Sequence, residues 1–269
     1  DRSWTAALEQ TGDYQGKPPA VILDVDETVL DNSAYEAWVV RENSHFSSKT
    51  WTPYVNAAIS RPIPGSLDFI TYAASKGVAI FYVTNRKAHE EDGTRRNLKQ
   101  LGYPVDETID TVLVRGENDW GRTKSARRAH VAKDYRVLLL IGDNLNDFTD
   151  EGGSIAERQA IFEKHLDRWS SSWITVANPM YGSWESAPFG DDYKLPAETR
   201  RRMKLDAMEY WGGPKSRLSP TCSPALRICS QVTSSIGSPF LLRSVRKLRS
   251  GSPGTMTAST PGAGGEDFT

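Results

Sequence analysis

The sequence predicts an α/β fold: a doubly wound parallel sheet with a small helical cap inserted after its first strand. Three observations carry that expectation. Short apolar runs alternate with stretches of helical periodicity, the pattern of successive βαβ units. The first run, Ala20 to Leu23, is continuously apolar, as a strand buried on both faces is. Asp24, Asp26, Thr84, Asp143, Asp147 and Tyr181 all fall just past the ends of such runs. In open parallel sheets ligands sit off the carboxyl ends of the strands, so a single edge can collect all of them.

Taken in order, residues 1–19 show a short helical pattern around Trp4 to Glu9 and a polar loop closing in Pro18-Pro19. The first strand is expected over 20–26. From Val29 to about Pro64 the chain is rich in aromatics (Tyr35, Trp38, Phe46, Trp51, Tyr54) and has no clear strand, so it reads as the helical insertion. A helix from Ser66 to Lys76 stops at Gly77, a C-cap residue. The second strand, Val78 to Val83, runs into Thr84-Asn85-Arg86, and a helix then reaches Leu101. A third strand near Thr111 to Val114 leads to a helix from about Thr123 to Lys133. The fourth, Arg136 to Ile141, ends in Gly142-Asp143-Asn144-Leu145-Asn146-Asp147. A helical stretch to about Trp169, a fifth strand (Trp173 to Ala177) and a helix from about Ala197 to Tyr210 complete the domain.

That domain is expected over residues 1–211, with the cap at about 29–64. Residues 212–269 differ in composition. Gly, Pro, Ser and Thr dominate there, and seven Lys or Arg face two acids. They read as a disordered basic tail. The formal net charge of the whole chain is −1, so charge indicates no nucleic-acid polymer and no membrane surface as partner. The apolar runs, Val137 to Ile141 among them, are too short to span a bilayer. Both cysteines, Cys222 and Cys229, lie in the tail, so the domain has no thiol nucleophile, thiolate zinc site or disulfide. No signal peptide is visible, and a start at Asp1 reads as that of a processed or trimmed product.

The chemistry centres on Asp24 and Asp26. Residues i and i+2 of an extended chain share a face about 6–7 Å apart. Two unpaired acids at the end of a core strand are costly as structure alone, because like charges resist joint desolvation. A phosphoryl group explains the wider set economically. Asp24 can attack it as a nucleophile. Asp26 can protonate the leaving oxygen and later deprotonate water. Thr84 and Lys124 can hold phosphate oxygens by a hydrogen bond and a point charge. Asp143 and Asp147, with Asp24, offer the hard oxygen ligands that Mg²⁺ prefers.

These residues form a recognisable pattern. D-x-D-x-T at 24–28, the strand-end Thr84, the isolated Lys124 and G-D-x-x-x-D at 142–147 resemble the four motifs of the haloacid dehalogenase superfamily. The string from Leu23 to Ser33 resembles the bacterial class C acid phosphatases, a group that includes surface lipoproteins acting on nucleotides. Val83-Thr-Asn-Arg86, Gly142-Asp-Asn-Leu145, Trp51-Thr-x-Tyr54-Val55 and Tyr181-Gly-x-Trp184-Glu185 match that group as well. The resemblance covers roughly residues 4–211. It implies Asp24 as nucleophile, Asp26 as acid/base, and one Mg²⁺ per subunit held by Asp24, the Asp26 carbonyl, Asp143 and Asp147. It also implies Thr84, Asn85 and Lys124 as the phosphate site and Trp51 and Tyr181 as a ring clamp on the substrate. The expected substrates are 5′-nucleotides and aryl phosphates, small phosphomonoesters in every case. Export to the periplasm, outer membrane or cell surface is expected, and a homodimer is compatible. Asn146 departs from the pattern, which has an acid beside the final Asp.

Three other readings are weaker. Gly116 to Thr123 nearly spells a phosphate-binding glycine loop, but Arg122 stands where its lysine belongs. A dehalogenase would not need Lys124 together with a full acidic pair. A storage or binding protein on the same fold would not need Asp24 with every one of its partners.

Overall fold

In the computed structural model, residues 3–209 are described. The basic tail expected at 212–269 lies outside the described residues, as does the end of the domain at Trp211. The strands and helices run β1 (Pro19–Leu23), β2 (Leu30–Asp31), α1 (Ser33–Arg41), α2 (Ser48–Ala57), β3 (Arg61–Pro62), α3 (Ser66–Ser75), β4 (Ala79–Lys87) and α4 (Glu91–Gln100). They continue as β5 (Val112–Arg115), α5 (Ser125–Asp134), β6 (Arg136–Gly142), α6 (Ile155–Lys164), β7 (Trp173–Thr175) and α7 (Ala197–Asp206).

Five strands form one parallel sheet in the order β5-β4-β1-β6-β7. The chain starts in the middle at β1, winds outward to β4 and β5, then returns to lay β6 and β7 on the other side. Alternation along β1 explains why it is apolar at every position. Val21 and Leu23 enter one core with Ile80 and Tyr82 of β4, Ile70 of α3 and Leu98 of α4. Ala20 and Ile22 enter the opposite core with Phe81 and Val83 of β4, Val131 of α5 and Trp173 of β7. Both faces are covered, so the side chains from Ala20 to Leu23 are removed from water.

Several boundaries depart from expectation. Trp4 to Glu9 forms no helix. Ala6 N–H donates to Val137 C=O (2.8 Å), and Ala6 C=O accepts from the Trp173 indole (2.8 Å). Bonds to the body thus replace an isolated short helix, which is marginal in water. The first strand stops at Leu23, and Glu27 turns the chain with a left-handed φ of 58°. β4 extends beyond Val83 to Lys87, so Thr84, Asn85 and Arg86 lie within the strand. The helices end earlier than expected, at Lys164 and Asp206. The insertion does contain strands: β2 and β3 pair antiparallel through Leu30–Pro62 and Asp31–Arg61. A two-residue ladder is too short to leave an alternating signature. It clasps the root of the insertion, where Ile63 N–H also donates to Val29 C=O (2.9 Å).

Candidate active site

The winding reverses at β1, and the crevice that this opens lies at the carboxyl ends of β1, β4 and β6. Asp24 follows β1 directly and is tied to the neighbouring strand by its N–H donating to Ile141 C=O (2.9 Å). Beyond β6 the chain folds into a single 3₁₀ turn, Leu145–Asp147, which brings the Asp147 carboxylate back under Gly142. A Cβ on Gly142 would stand 2.2 Å from Asp147 Oδ2, so only glycine fits there. Asn144 N–H donates to that same oxygen (2.9 Å) and fixes it. Asp24, Asp143 and Asp147 each offer a carboxylate oxygen within 4.8 Å of the others.

Lys124, just ahead of α5, joins them. Its ammonium donates to Asp24 Oδ1 and, at 2.7 Å, to Asp147 Oδ1, with all three groups buried. Burial pulls the Lys124 pKa down, but Asp147 and Asp24 outweigh it and raise it, so the ammonium stays charged. Asp24 is pushed well above the usual carboxylate range. Burial is the main cause, Lys124 opposes it, and Asp147, Asp143 and Asp26 add to it. Asp143 rises to about 6, from burial and then Asp147, although the Asn178 amide donates to it at 2.8 Å. One ammonium thus faces three converging acids. Hard oxygen donors with excess negative charge fit a divalent cation such as Mg²⁺.

Asp26 faces the other way, and its carboxylate does not join the converging oxygens. Arg86 of β4 donates to its Oδ1 through Nε (3.0 Å) and Nη2 (2.8 Å), and Asn32 donates to the same oxygen (2.8 Å). Thr84 is buried, and its hydroxyl lies 3.5 Å from Asp26 Oδ2. Asn85, the next residue, is exposed. Its Oδ1 accepts from Arg127 Nη2 (2.8 Å), which leaves the amide NH₂ as a donor. Asp24, Asp26, Thr84, Asn85, Lys124, Asp143 and Asp147 therefore gather at the ends of three adjacent strands.

Residues 3–184 match the model of the HAD superfamily, subfamily IIIB (acid phosphatase). The chain belongs to that family. It is 34% identical to the solved class C acid phosphatase of Bacillus anthracis, with a TM-score of 0.66 over 73% of this chain and 81% of that one. A second structure of the Bacillus anthracis enzyme, with tungstate bound, matches at the same identity and TM-score over 72% and 81%. The HAD acid phosphatases are phosphomonoester hydrolases, and this chain has their fold. No helix among the described residues is long and apolar enough to cross a membrane.

In this HAD phosphatase four residues beside Asp26 and the Thr84-Asn85 pair carry no role in the predicted site. Arg86, Asn32, Glu27 and Arg127 are all buried. Glu27 accepts from the Tyr181 hydroxyl (3.0 Å) and the Asn32 N–H (3.3 Å). Its pKa rises to about 7, mainly from burial, with the Tyr181 and Asn32 hydrogen bonds opposing. Arg127 spans from α5 to the Thr84 carbonyl and Asn85. The available signal was that Asp26-Glu27 and Asn85-Arg86 put charge directly onto core strands, where an unpaired charge is unaffordable.

The two candidate clamp rings meet different residues beside the Asp26-Glu27 pair. Tyr181 reaches Glu27, whereas Trp51 of α2 lies 5.5 Å from the Arg86 guanidinium, which covers its ring. Trp51 is only 9% exposed and packs edge-on against Tyr35 (5.0 Å) in the core of the insertion. No ring contact joins Trp51 and Tyr181 among the described residues.

Proposed function

We propose that this HAD phosphatase hydrolyses phosphomonoesters through an aspartyl-phosphate on Asp24, acting on 5′-nucleotides and aryl phosphates with one Mg²⁺ per subunit. The observation that carries this reading is the convergence of Asp24, Asp143 and Asp147 on one point, with Lys124 bridging two of them. Asp24, Asp143, Asp147 and the main-chain carbonyl of Asp26 would hold the ion. When bound, it supplies positive charge that offsets repulsion between these acids and an anionic substrate.

The residues divide the work. Lys124, the Thr84 hydroxyl and the Asn85 amide bind the non-reacting phosphate oxygens. An Asp24 carboxylate oxygen attacks phosphorus while the ester P–O bond breaks, and Asp26 gives a proton to the departing oxygen. Water then attacks the same phosphorus, Asp26 takes its proton, the Asp24–phosphorus link breaks and inorganic phosphate leaves. The tungstate held by the Bacillus anthracis enzyme supports an oxyanion site in this family, since tungstate shares the tetrahedral shape of phosphate. Tyr181, which reaches Glu27, and Trp51, which lies against Arg86, give the site its preference for a ring on the leaving group. Export to the cell envelope and a dimeric state belong to the same proposal.

A panel of nucleoside monophosphates, aryl phosphates and glycerol phosphate, assayed with Mg²⁺ and after chelation, tests the reading. Activity should need the ion and fall on the ringless substrate. Trp51→Ala combined with Tyr181→Ala should raise KM for ringed substrates, by a stacking loss of about 1–3 kcal/mol per ring, and leave KM for glycerol phosphate unchanged. Undiminished turnover in verified metal-free protein would sink the metal role. Equal losses on ringed and ringless substrates would sink the clamp.

A further inference from the structure

The hydrogen bonds to Asp26 are unevenly shared between its two oxygens. Oδ1 receives Arg86 Nε, Arg86 Nη2 and Asn32 Nδ2, at 3.0, 2.8 and 2.8 Å. An ionised carboxylate oxygen has two lone-pair sites, so three donors leave no room for a proton on Oδ1. Among the described residues, Oδ2 has one hydrogen-bond partner, the Thr84 hydroxyl at 3.5 Å. The Asp26 side chain is 20% exposed while that of Arg86 is 1% exposed, so the contested oxygen faces the buried side.

Four of the five guanidinium N–H groups of Arg86 are engaged within the protein, Nη2 also donating to Asn32 Oδ1 (3.4 Å). Its remaining Nη1 is held by the Thr94 hydroxyl (3.1 Å), its main-chain N–H donates to Thr84 Oγ1 (3.0 Å), and Trp51 supports the guanidinium plane at 5.5 Å. Asn32 is held in turn, its side-chain oxygen accepting from Ser60 (2.9 Å). A planar guanidinium stacked on an aromatic ring and anchored at both ends fixes the carboxylate it grips.

We propose that Arg86 and Asn32 are positioning residues that occupy Asp26 Oδ1 and so reserve Oδ2 for proton transfer, with Trp51 as the platform that keeps Arg86 in place. This rests on Asp26 being the acid/base of the proposed function. In the first half-reaction the Oδ2–H bond breaks as the leaving oxygen gains that proton and the ester P–O bond opens. In the second, the attacking water returns a proton to Oδ2. Trp51 then acts on chemistry through Arg86, in addition to any contact with a substrate ring.

The test uses phenyl, 4-chlorophenyl and 4-nitrophenyl phosphate, which present one ring but leaving groups of rising acidity. kcat/KM is compared for the full-length protein with Mg²⁺ and for Asp26→Asn, Arg86→Gln, Arg86→Lys and Trp51→Leu, each checked by melting temperature. Arg86→Gln should lose at least about tenfold more on phenyl than on 4-nitrophenyl phosphate, within the range that general acid catalysis supplies. Arg86→Lys should fall between Arg86→Gln and the parent, and Trp51→Leu should show the same trend more weakly. If Arg86→Gln does not fold, the Arg86→Lys and Trp51→Leu trends decide. Uniform losses across the three esters in the Arg86 and Trp51 variants, with Asp26→Asn still dependent on the leaving group, would overturn the positioning role alone. An Asp26→Asn variant without that dependence would overturn the acid/base reading and the proposal with it.

Discussion

Asp24 and Asp26 are two residues apart, and the fold gives them opposite surroundings. Asp24 is gripped from the β6 side, by the Ile141 carbonyl, the carboxylates after Gly142 and the ammonium ahead of α5. Asp26 is gripped from the β4 side and the insertion, by Arg86 and Asn32. On the first side negative charge is in excess, and acids hold their protons beyond the usual range. On the second, a buried arginine and an amide already satisfy the carboxylate. Two identical side chains can therefore take two roles, one next to a cation site and the other beside donors that leave one oxygen for a proton. The difference comes from which strand lies on either side of β1, not from the spacing of the pair.

The strongest way to break this contrast is to exchange the proposed nucleophile. Asp24→Asn should lower turnover on every phosphomonoester by more than about a thousandfold, as removal of a nucleophile does, and acid-quenched protein should carry no phosphate. A residual phosphoenzyme in that variant would move the nucleophile elsewhere.

A moderate effect is expected from pH without metal. Asp24 is raised well above 3.8, Asp143 from 3.8 to about 6 and Glu27 from 4.5 to about 7. The folded state therefore binds more protons than the unfolded chain in this window. The stability these protons give is complete below the unfolded values and is lost as pH rises through the folded ones. In chelator, the melting temperature should fall as pH rises from about 4 to about 7. Added Mg²⁺ should raise it, and more at pH 7 than at pH 4, because metal and protons compete for the same oxygens. A chelated protein whose stability rises steadily over that window would contradict the charge excess on the β6 side.

The smallest effect is expected outside both regions. Deleting residues 215–269 should leave melting temperature and kcat/KM unchanged, since the family match ends at 184 and the described core closes by residue 209. Loss of activity on truncation would place part of the function in the tail.

Much of this architecture was legible from local pattern. The apolar run 20–23, the glycine stop at Gly77 and the clustering of acids after Leu23 and Gly142 are short-range features, and each marks a strand end or a helix end for reasons internal to a few residues. Where strands ended was less legible. Thr84 to Arg86 were expected just past the end of the second strand, yet β4 continues through them and buries Thr84 and Arg86 against partners distant in sequence.

The residue types and their order thus suffice to name the sheet, the nucleophile candidate and the candidate cation ligands, because each lies next to a strand that is apolar on its own account. Arg86 closing on Asp26 across 60 positions, Glu27 meeting Tyr181 across 154, and Trp51 lying against Arg86 could not be read the same way. Those contacts depend on how β1, β4, the insertion and the segment after β7 pack together. A buried charge finds its partner only once the neighbouring strands have excluded the water that would otherwise satisfy it.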